Sequence, residues 1–443
     1  MDLKTVLHVT AHLGGGVGKV LSGISSYASQ TNSSYQHKII LLEQPEKQNF
    51  LLLCKQHGID VHVALEPESL LRSFEEADIV QLEWWHHPVL ARLLAYFPSA
   101  PVRTVVWSHI SGCNYPQLPV AFLQKPDAFV FSSAYSYENP LWSEQERELA
   151  RVQAAMVNSS GGFEYIHPRE ATVKNHGFCI GYIGTQHFSK LHPAFVRYCQ
   201  AVGDIPEVKF VLVGDPANQE ALAAQFAAAG MGKQTEFVDY VDDVSGQLAR
   251  FDVFGYILNP SHYGTTENIL LEAMAAGLPV VCLRQCAEQF LIEHNKTGLL
   301  VSSIEEYAAA IGYLYRHSEE RARLGENARQ FVLTHFSVQQ TVEKLNAVYD
   351  KVMEVNKKIQ DFSAVFGTDP FAWFLAGLPP AAKCWVNKCL AEGQAVSMEQ
   401  AKAELGDLFY ILYGETKSSL RHYFKVYPKD GRLQKLVALL GQV

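Results

Sequence analysis

Residues Tyr256–Val281 read YILNPSHYGTTENILLEAMAAGLPVV, and the rest of the chain is organised around them. The stretch opens as an apolar strand end and passes through a polar loop. Thr265, Thr266, Glu267 and Asn268 stand where a helix begins. Hydroxyl and amide side chains there can cap free N–H groups, and Glu267 suits the positive end of the dipole. Ile269, Leu270, Ala273, Met274 and Ala276 follow at helical spacing, Gly277 fits a C′ position, and Pro279 leads into a buried strand. A helix N-terminus after a strand is a ready anion site. Glu272, about one turn in, can accept hydrogen bonds from a sugar diol. The same pattern also describes an ordinary strand–helix–strand crossover with a surface Glu.

Outward from this segment, the chain has 443 residues, 48% apolar and 19% charged, so two or three domains with ample core are expected. A net charge of −9 argues against general nucleic-acid binding. The eight cysteines include no C-x2-C pair and read as reduced core thiols of a cytoplasmic protein. No signal-like start and no uninterrupted span of membrane length is present in the sequence.

β-rich runs at Thr5–Thr10, Lys38–Leu42, Val61–Val63, Ile79–Leu82, Val102–Trp107 and Ala128–Phe131 alternate with helical or loop stretches. That rhythm predicts a doubly wound α/β domain. Between its first strand and first helix lies HLGGGVGK, His12–Lys19. Three successive glycines are costly unless something must approach the backbone, although a tight turn also uses them. Neither the P-loop nor the G-x-G-x-x-G spacing is met. Trp84 and Trp85 follow Ile79–Leu82 and suit either a sugar-stacking wall on the acceptor side or packing within the fold. His86, His87 and the remaining histidines read as ordinary surface or core residues. A second alternation runs through Phe178–Ile183, Lys209–Gly214, Thr235–Val238 and Asp252–Leu258. Asp239, Asp242 and Asp243 read as cap and surface acids and not as a metal site. The domains are placed at 1–175, 176–356 and 357–443, with a hinge near residue 175. The last piece holds 11 basic and 8 acidic residues. Lys417, Arg421 and Lys425 share a helical face beside Leu420, Tyr423, Phe424 and Tyr427, as in a helix that packs its aromatic side or lies on anionic lipid.

Pro260-Ser261 and Leu271-Glu272-Ala273-Met274-Ala275 with Gly277-Leu278-Pro279-Val280-Val281 resemble the signature of the retaining GT-B glycosyltransferases of the GT4 type, or group 1. The resemblance covers roughly residues 5–353 and is stronger in the second half. It implies a GT-B fold: two Rossmann-like doubly wound domains facing a cleft, here with a mainly helical C-terminal extension. It also implies transfer of a sugar, with retention, from a nucleotide-diphosphate sugar, UDP- or GDP-linked, to an acceptor hydroxyl. The acceptor class is a glycan, a lipid-linked glycan or another hydroxyl compound, and the setting is glycan or glycoconjugate biosynthesis; the cysteines and the basic C-terminal segment add the expectation of a cytoplasmic protein, with contact to the inner membrane face as an alternative. No cofactor and no metal is implied.

Residue by residue, the resemblance gives Glu272 the ribose. Gly14, Gly15 and Gly16 are placed at the phosphates and transferred sugar, His109 at the sugar hydroxyls, and Lys190, six residues after Gly184, on the diphosphate. Two positions depart from the pattern. Gly264 stands eight residues before Glu272, where the family has a second Glu, and Thr185 stands where it has Arg. A threonine offers phosphate a hydroxyl without a charge. Thr265, Thr266 and Asn268 are expected to contact the donor, and Glu267 to replace the missing acid in part. Two rivals remain: a nucleotide-sugar epimerase or related GT-B enzyme, and a non-catalytic scaffold or binding subunit, which the changes at Gly264 and Thr185 motivate.

Overall fold

The structure is a computed structural model that describes residues 3–169, 177–414 and 417–441. The expected hinge near residue 175 lies outside the described residues. The chain forms two wholly parallel sheets. The first holds β1 (Lys4–Thr10), β2 (Tyr35–Leu41), β3 (Asp60–Val63), β4 (Ile79–Trp84), β5 (Thr104–Ser108), β6 (Ala128–Phe131) and β7 (Ala154–Met156), in the order β3-β2-β1-β4-β5-β6-β7. The second holds β8 (Phe178–Ile183), β9 (Val208–Val213), β10 (Thr235–Val238), β11 (Val253–Tyr256), β12 (Val280–Leu283) and β13 (Leu299–Val301), in the order β10-β9-β8-β11-β12-β13. Near-continuous apolar runs such as VKFVLV and FCIGYI suit strands covered on both faces. Each order reverses once, between β1 and β4 and between β8 and β11, and ligands of such sheets sit beyond the carboxyl ends of the strands near that reversal.

The chain divides into two compact units. The first comprises 1–161, 263–265 and 338–443, and the second 162–262 and 266–337. The expected boundary at 356 therefore differs from the packing. The helix Val338–Met353 lies on the first sheet, burying Val342, Leu345 and Tyr349 with Val6, Val20 and Trp107, and Tyr349 donates its hydroxyl to Gln81 at 2.7 Å. Residues 357–443 are not an appendage. Phe362, Phe366, Trp373, Phe374 and Tyr423 join the core on the other face of the first sheet.

That packing explains a correction. β4 runs two residues further than its β-rich stretch, so Trp84 is 1% exposed and its ring packs against Phe122 and Phe366. Trp84 is thus a core residue and offers no wall to an acceptor. Asp243 caps the helix Val244–Ala249 through Gly246 N at 2.8 Å, as its position suggested.

The helix Gly15–Gln30 approaches the turn after β7 so closely that a Cβ on Gly23 would lie 2.2 Å from the Gly161 carbonyl oxygen. Gly23→Ala must push that turn away. A loss of about 1–3 kcal/mol is expected in chemical denaturation, and an unchanged midpoint would contradict the close approach.

Candidate functional site

In the second unit, the loop after β8 carries Lys190 and the loop after β11 leads into the helix Asn268–Ala275. The Lys190 ammonium lies 2.9 Å from Glu267 Oε2 and 5.7 Å from the centre of the Tyr256 ring. Tyr256 donates its hydroxyl to the same carboxylate oxygen at 2.5 Å. His262 Nδ1 stands 3.7 Å from Glu267 Oε1, and its Nε2 bonds Glu288 Oε1 at 3.0 Å. Lys190, Glu267, His262 and Glu288 thus form one chain of alternating charge.

Burial alone raises the Glu267 pKa, but the charges of Lys190 and His262 and the hydrogen bonds from Tyr256 and Lys190 outweigh it and hold the acid at about 2. His262 is pulled the other way. Burial lowers its pKa, yet the charge of Glu288, hydrogen bonds with Cys286 and Glu288, and the charge of Glu267 lift it to about 10. The linkage signs follow. The depressed Glu267 contributes stability above its unfolded pKa of 4.5, which is lost as pH falls towards 2. The raised His262 contributes stability below 6.5, which is lost as pH rises towards 10. The contribution of this pair to the second unit is therefore expected to be fullest between about 4.5 and 6.5 and to fall above that window. His262→Gln should flatten the alkaline side, and thermal scans that show the same alkaline fall in both proteins would contradict the assignment.

The helix start differs from its expected capping. Glu267 is the N-cap residue, in the left-handed conformation at φ 41°, and its own side chain does not cap the helix. Thr265 and Thr266 lie before the N-cap residue and are 7% and 1% exposed. Tyr263–Thr265, with Gly264, group with the first unit. The Glu267 carboxylate is turned inward to Lys190 from this left-handed backbone. Asn268 Oδ1 is buried with no hydrogen-bond partner among the described residues, so it is an acceptor in want of a donor. Glu272 is 5% exposed on the same helix. Thr185 is exposed, and its carbonyl accepts from the Tyr182 hydroxyl at 3.1 Å.

In the first unit, Gly15 and Gly16 are exposed at the first turn of the helix Gly15–Gln30, with Gly14 as its N-cap and Gly15 at φ 55°. His109 follows β5. Its Nε2 bonds Glu83 Oε2 at 2.7 Å and its Nδ1 bonds Ser159 Oγ at 2.9 Å. Glu83 is fully buried on β4 and also receives His8 Nδ1 at 2.7 Å and Gln81 Nε2 at 2.8 Å. Burial works to raise its pKa, but the hydrogen bonds of His109 and His8 prevail and hold it at about 2.

Trp85 belongs to a second cluster in this unit. The Lys417 ammonium sits 5.2 Å from its ring centre and 2.8 Å from His12 Nε2, while the rings of His12 and His87 pack against the indole. Its faces are therefore occupied, which does not match an open stacking platform. Lys417 stands before the helix Leu420–Val426 and stays exposed while its ammonium reaches His12 and the indole. Leu420 and Tyr423 of the helix Leu420–Val426 are buried, as in the aromatic packing alternative.

Two groups of side chains among the described residues are close enough to hold a metal ion: His12 with Glu43 and His87, and His262 with Cys286 and Glu288. In the first, His87 Nδ1 accepts from Val89 N at 3.3 Å, so Nε2 carries the proton that faces Glu43. In the second, both ring nitrogens of His262 face carboxylates. The histidines of both groups make internal polar contacts, whereas Glu288 Oε2 is buried with no hydrogen-bond partner among the described residues.

The histidines are the main feature that the sequence does not reveal. His8, His86, His87 and His262 are buried, and His8, His87 and His262 bond to carboxylates. Their partners are distant in sequence, so spacing could not find them. The one local signal was His262 in the Pro-Ser-His loop. Cys384 is exposed, whereas the other seven cysteines are buried, and all eight are free thiols. Among the described residues no helix is long and apolar enough to cross a membrane.

Comparison with known proteins bears on the second unit above all. Residues 177–317 match the family model for glycosyl transferases group 1. The lipopolysaccharide core biosynthesis glycosyltransferase LpsE of Rhizobium meliloti is 30% identical over 145 residues, 32% of this chain and 42% of the relative. The spore coat protein SA of Bacillus subtilis is 28% identical over 167 residues, 34% of this chain and 44% of the relative. The chain thus spans less than half the length of these relatives. Among solved structures, Anabaena HepE in complex with UDP and glucose superposes with a TM-score of 0.63 at 15% identity, over 78% of this chain and 99% of that one. A glycosyltransferase from Rickettsia africae does so with a TM-score of 0.65 at 15% identity, over 80% and 100%. The shared fold is the GT-B arrangement of two α/β domains.

Proposed function

We propose that this chain, whose second unit carries the group 1 glycosyltransferase pattern, transfers a sugar from a nucleoside-diphosphate sugar to an acceptor hydroxyl in glycan assembly. The observation that carries the reading is the meeting of Lys190 with the start of the helix Asn268–Ala275 through Glu267. A cation and a helix N-terminus that converge on one point form an anion site. In this reading the leaving diphosphate competes with Glu267 for the Lys190 ammonium. The N–H groups of the helix start add a fixed dipole where charge develops on the leaving group. Glu272 accepts from the ribose diol, and Asn268 Oδ1 accepts from a donor hydroxyl.

The donor base is uridine in this reading, supported by the HepE structure with UDP. Transfer with retention and without a bound metal is part of the same proposal. The leaving phosphate takes the acceptor proton on the face where the new bond forms. The test is incubation of the full chain with UDP-, GDP- and ADP-sugars. Release of a nucleoside diphosphate from one of them is expected, and release from none would remove the reading.

A binding or scaffold role is the second reading. It is favoured by Glu267 occupying Lys190 and by Gly264 and Thr185 standing in place of charged contacts. Calorimetry separates the two, because a scaffold without a nucleotide site gives no heat with UDP, GDP or ADP.

A further inference from the structure

We infer that His262, through Nε2, Cys286 and Glu288 form a binding site for a borderline-soft divalent cation, zinc above all, and that this ion ties the loop after β11 to the loop after β12. The inference stands on its own geometry and does not rest on the sugar-transfer reading.

His262, Cys286 and Glu288 are 2%, 6% and 0% exposed, and each offers a ligand atom within 4.8 Å of the others. His262 Nε2 lies 3.0 Å from Glu288 Oε1. The other oxygen, Glu288 Oε2, is buried with no hydrogen-bond partner among the described residues. A carboxylate oxygen removed from water and given no donor is costly, and a cation supplies what it lacks. The second ring nitrogen of His262 completes the pattern. Its Nδ1 faces Glu267 Oε1 at 3.7 Å, and Glu267 is held in turn by Lys190 and Tyr256 through Oε2. A metal-bound imidazole usually directs its other N–H towards a carboxylate, which fixes the ring and its tautomer. The ion then lies across the imidazole from Glu267 and Lys190, so it takes no part in the proposed diphosphate contact.

The donor set selects the ion. One imidazole nitrogen, one thiolate and one carboxylate suit zinc, at bond lengths of about 2.0–2.3 Å, whereas magnesium and calcium prefer oxygen throughout. Three protein ligands leave a fourth coordination position, for which the Pro260 carbonyl oxygen, 3.1 Å from Cys286 Sγ, is at hand. Binding is an exchange. The divalent ion enters, one proton leaves His262 Nε2 and one leaves the Cys286 thiol, so the charge of the buried cluster is unchanged. The ion joins loops that follow paired strands of the second sheet, and the loop after β11 runs on into the helix Asn268–Ala275. The group of His12, Glu43 and His87 lacks these features. There His12 Nε2 meets the Lys417 ammonium at 2.8 Å, where a metal ion would face a second cation, and the Glu43 side chain is 34% exposed.

The test titrates cobalt(II) into the full chain after treatment with a chelator, because a cobalt–thiolate bond absorbs in the near ultraviolet. One equivalent is expected to produce that band, and added zinc to abolish it by displacement. Cys286→Ser is expected to lose the band, whereas Cys384→Ser, which removes the exposed thiol, keeps it. Zinc at about 100 times its dissociation constant should raise the melting temperature by about 5–10 °C, and Glu288→Gln should lose most of that rise. Absence of the band in wild type, a band of equal size in Cys286→Ser, or an equal rise in Glu288→Gln overturns the site. If Cys286→Ser does not fold, X-ray absorption at the zinc edge of the Cys384→Ser chain decides the matter. One sulfur among nitrogen and oxygen neighbours is the expected result, and nitrogen and oxygen alone overturn it. None of these readouts needs turnover, so their outcome is separate from that of the transfer reading.

Discussion

Lys190→Ala is expected to lower kcat/KM for sugar transfer by about 100- to 1,000-fold, the cost of removing one well-placed donor to a developing charge. The side chain is 24% exposed, so its ammonium can meet a ligand while resting on Glu267. Its loss removes the cation on which the leaving diphosphate would build charge. Because diphosphate is held in both ground and transition states, nucleotide binding should weaken as well. Lys190→Arg should recover only part of the loss, since the planar guanidinium does not place its charge where a compact ammonium does. Steady-state kinetics with the identified nucleotide sugar reads both variants. Turnover within about threefold of wild type in Lys190→Ala, far short of the loss of one such donor, would sink the proposed diphosphate site.

Glu267→Ala is expected to cost about 3–5 kcal/mol of stability in the second unit, because removing one partner leaves buried opposite charges uncompensated. Lys190, Tyr256 and His262 all face this carboxylate, whose side chain is 4% exposed. Each kcal/mol moves the melting temperature of a unit this size by about 2–4 °C, so the shift is large. Glu267→Gln keeps the size and a hydrogen-bonding oxygen but not the charge, and it should fall between wild type and Glu267→Ala. The substitution also separates two roles. If Glu267 only holds the site together, added nucleotide will not narrow the gap in melting temperature between the Glu267→Gln variant and wild type. If it holds Lys190 until diphosphate arrives, the same variant will bind nucleoside diphosphate at least as tightly as wild type despite its lower melting temperature. A melting temperature unchanged in Glu267→Ala would contradict the buried charge chain.

Local pattern carried much of the fold. Runs such as AFVF, FCIGYI and TEFV occupy the strands expected of them, because β-branched and aromatic residues between polar breaks have few other places to go in an α/β chain. The helix in the opening stretch also lies where its apolar spacing put it, ending before Gly277, which has φ 78°. Its start was less legible. Thr265, Thr266 and Asn268 look like caps by composition, yet the N-cap is Glu267 in a left-handed conformation that propensity disfavours. Such strain is a property of the surroundings, here the pull of Lys190 and His262, and not of the local sequence.

Long-range pairing was harder still to read. Trp84 looked like a loop residue because the β-rich run stops at Leu82, but burial by Phe122 and Phe366 extends the strand. The aromatic residues between Phe362 and Tyr423 looked like a separate helical piece, yet they complete the core of the first sheet. The site divides in the same way. Lys190 and Glu272 are candidates singled out by spacing against a family pattern, whereas Glu83, His8, Ser159, His262 and Glu288 draw notice only from partners that the fold brings to them.

The central claim is that the second unit holds a nucleoside diphosphate on Lys190 at the start of the helix Asn268–Ala275. Isothermal titration of UDP into the full chain and into Lys190→Ala tests it most directly, with GDP and ADP as further titrants. Saturable binding of one of the three to wild type, weakened by about tenfold or more in the variant as befits a lost charged contact, is the expected result. Binding of none of them to a wild-type chain that melts cooperatively, or equal binding to both proteins, would contradict it.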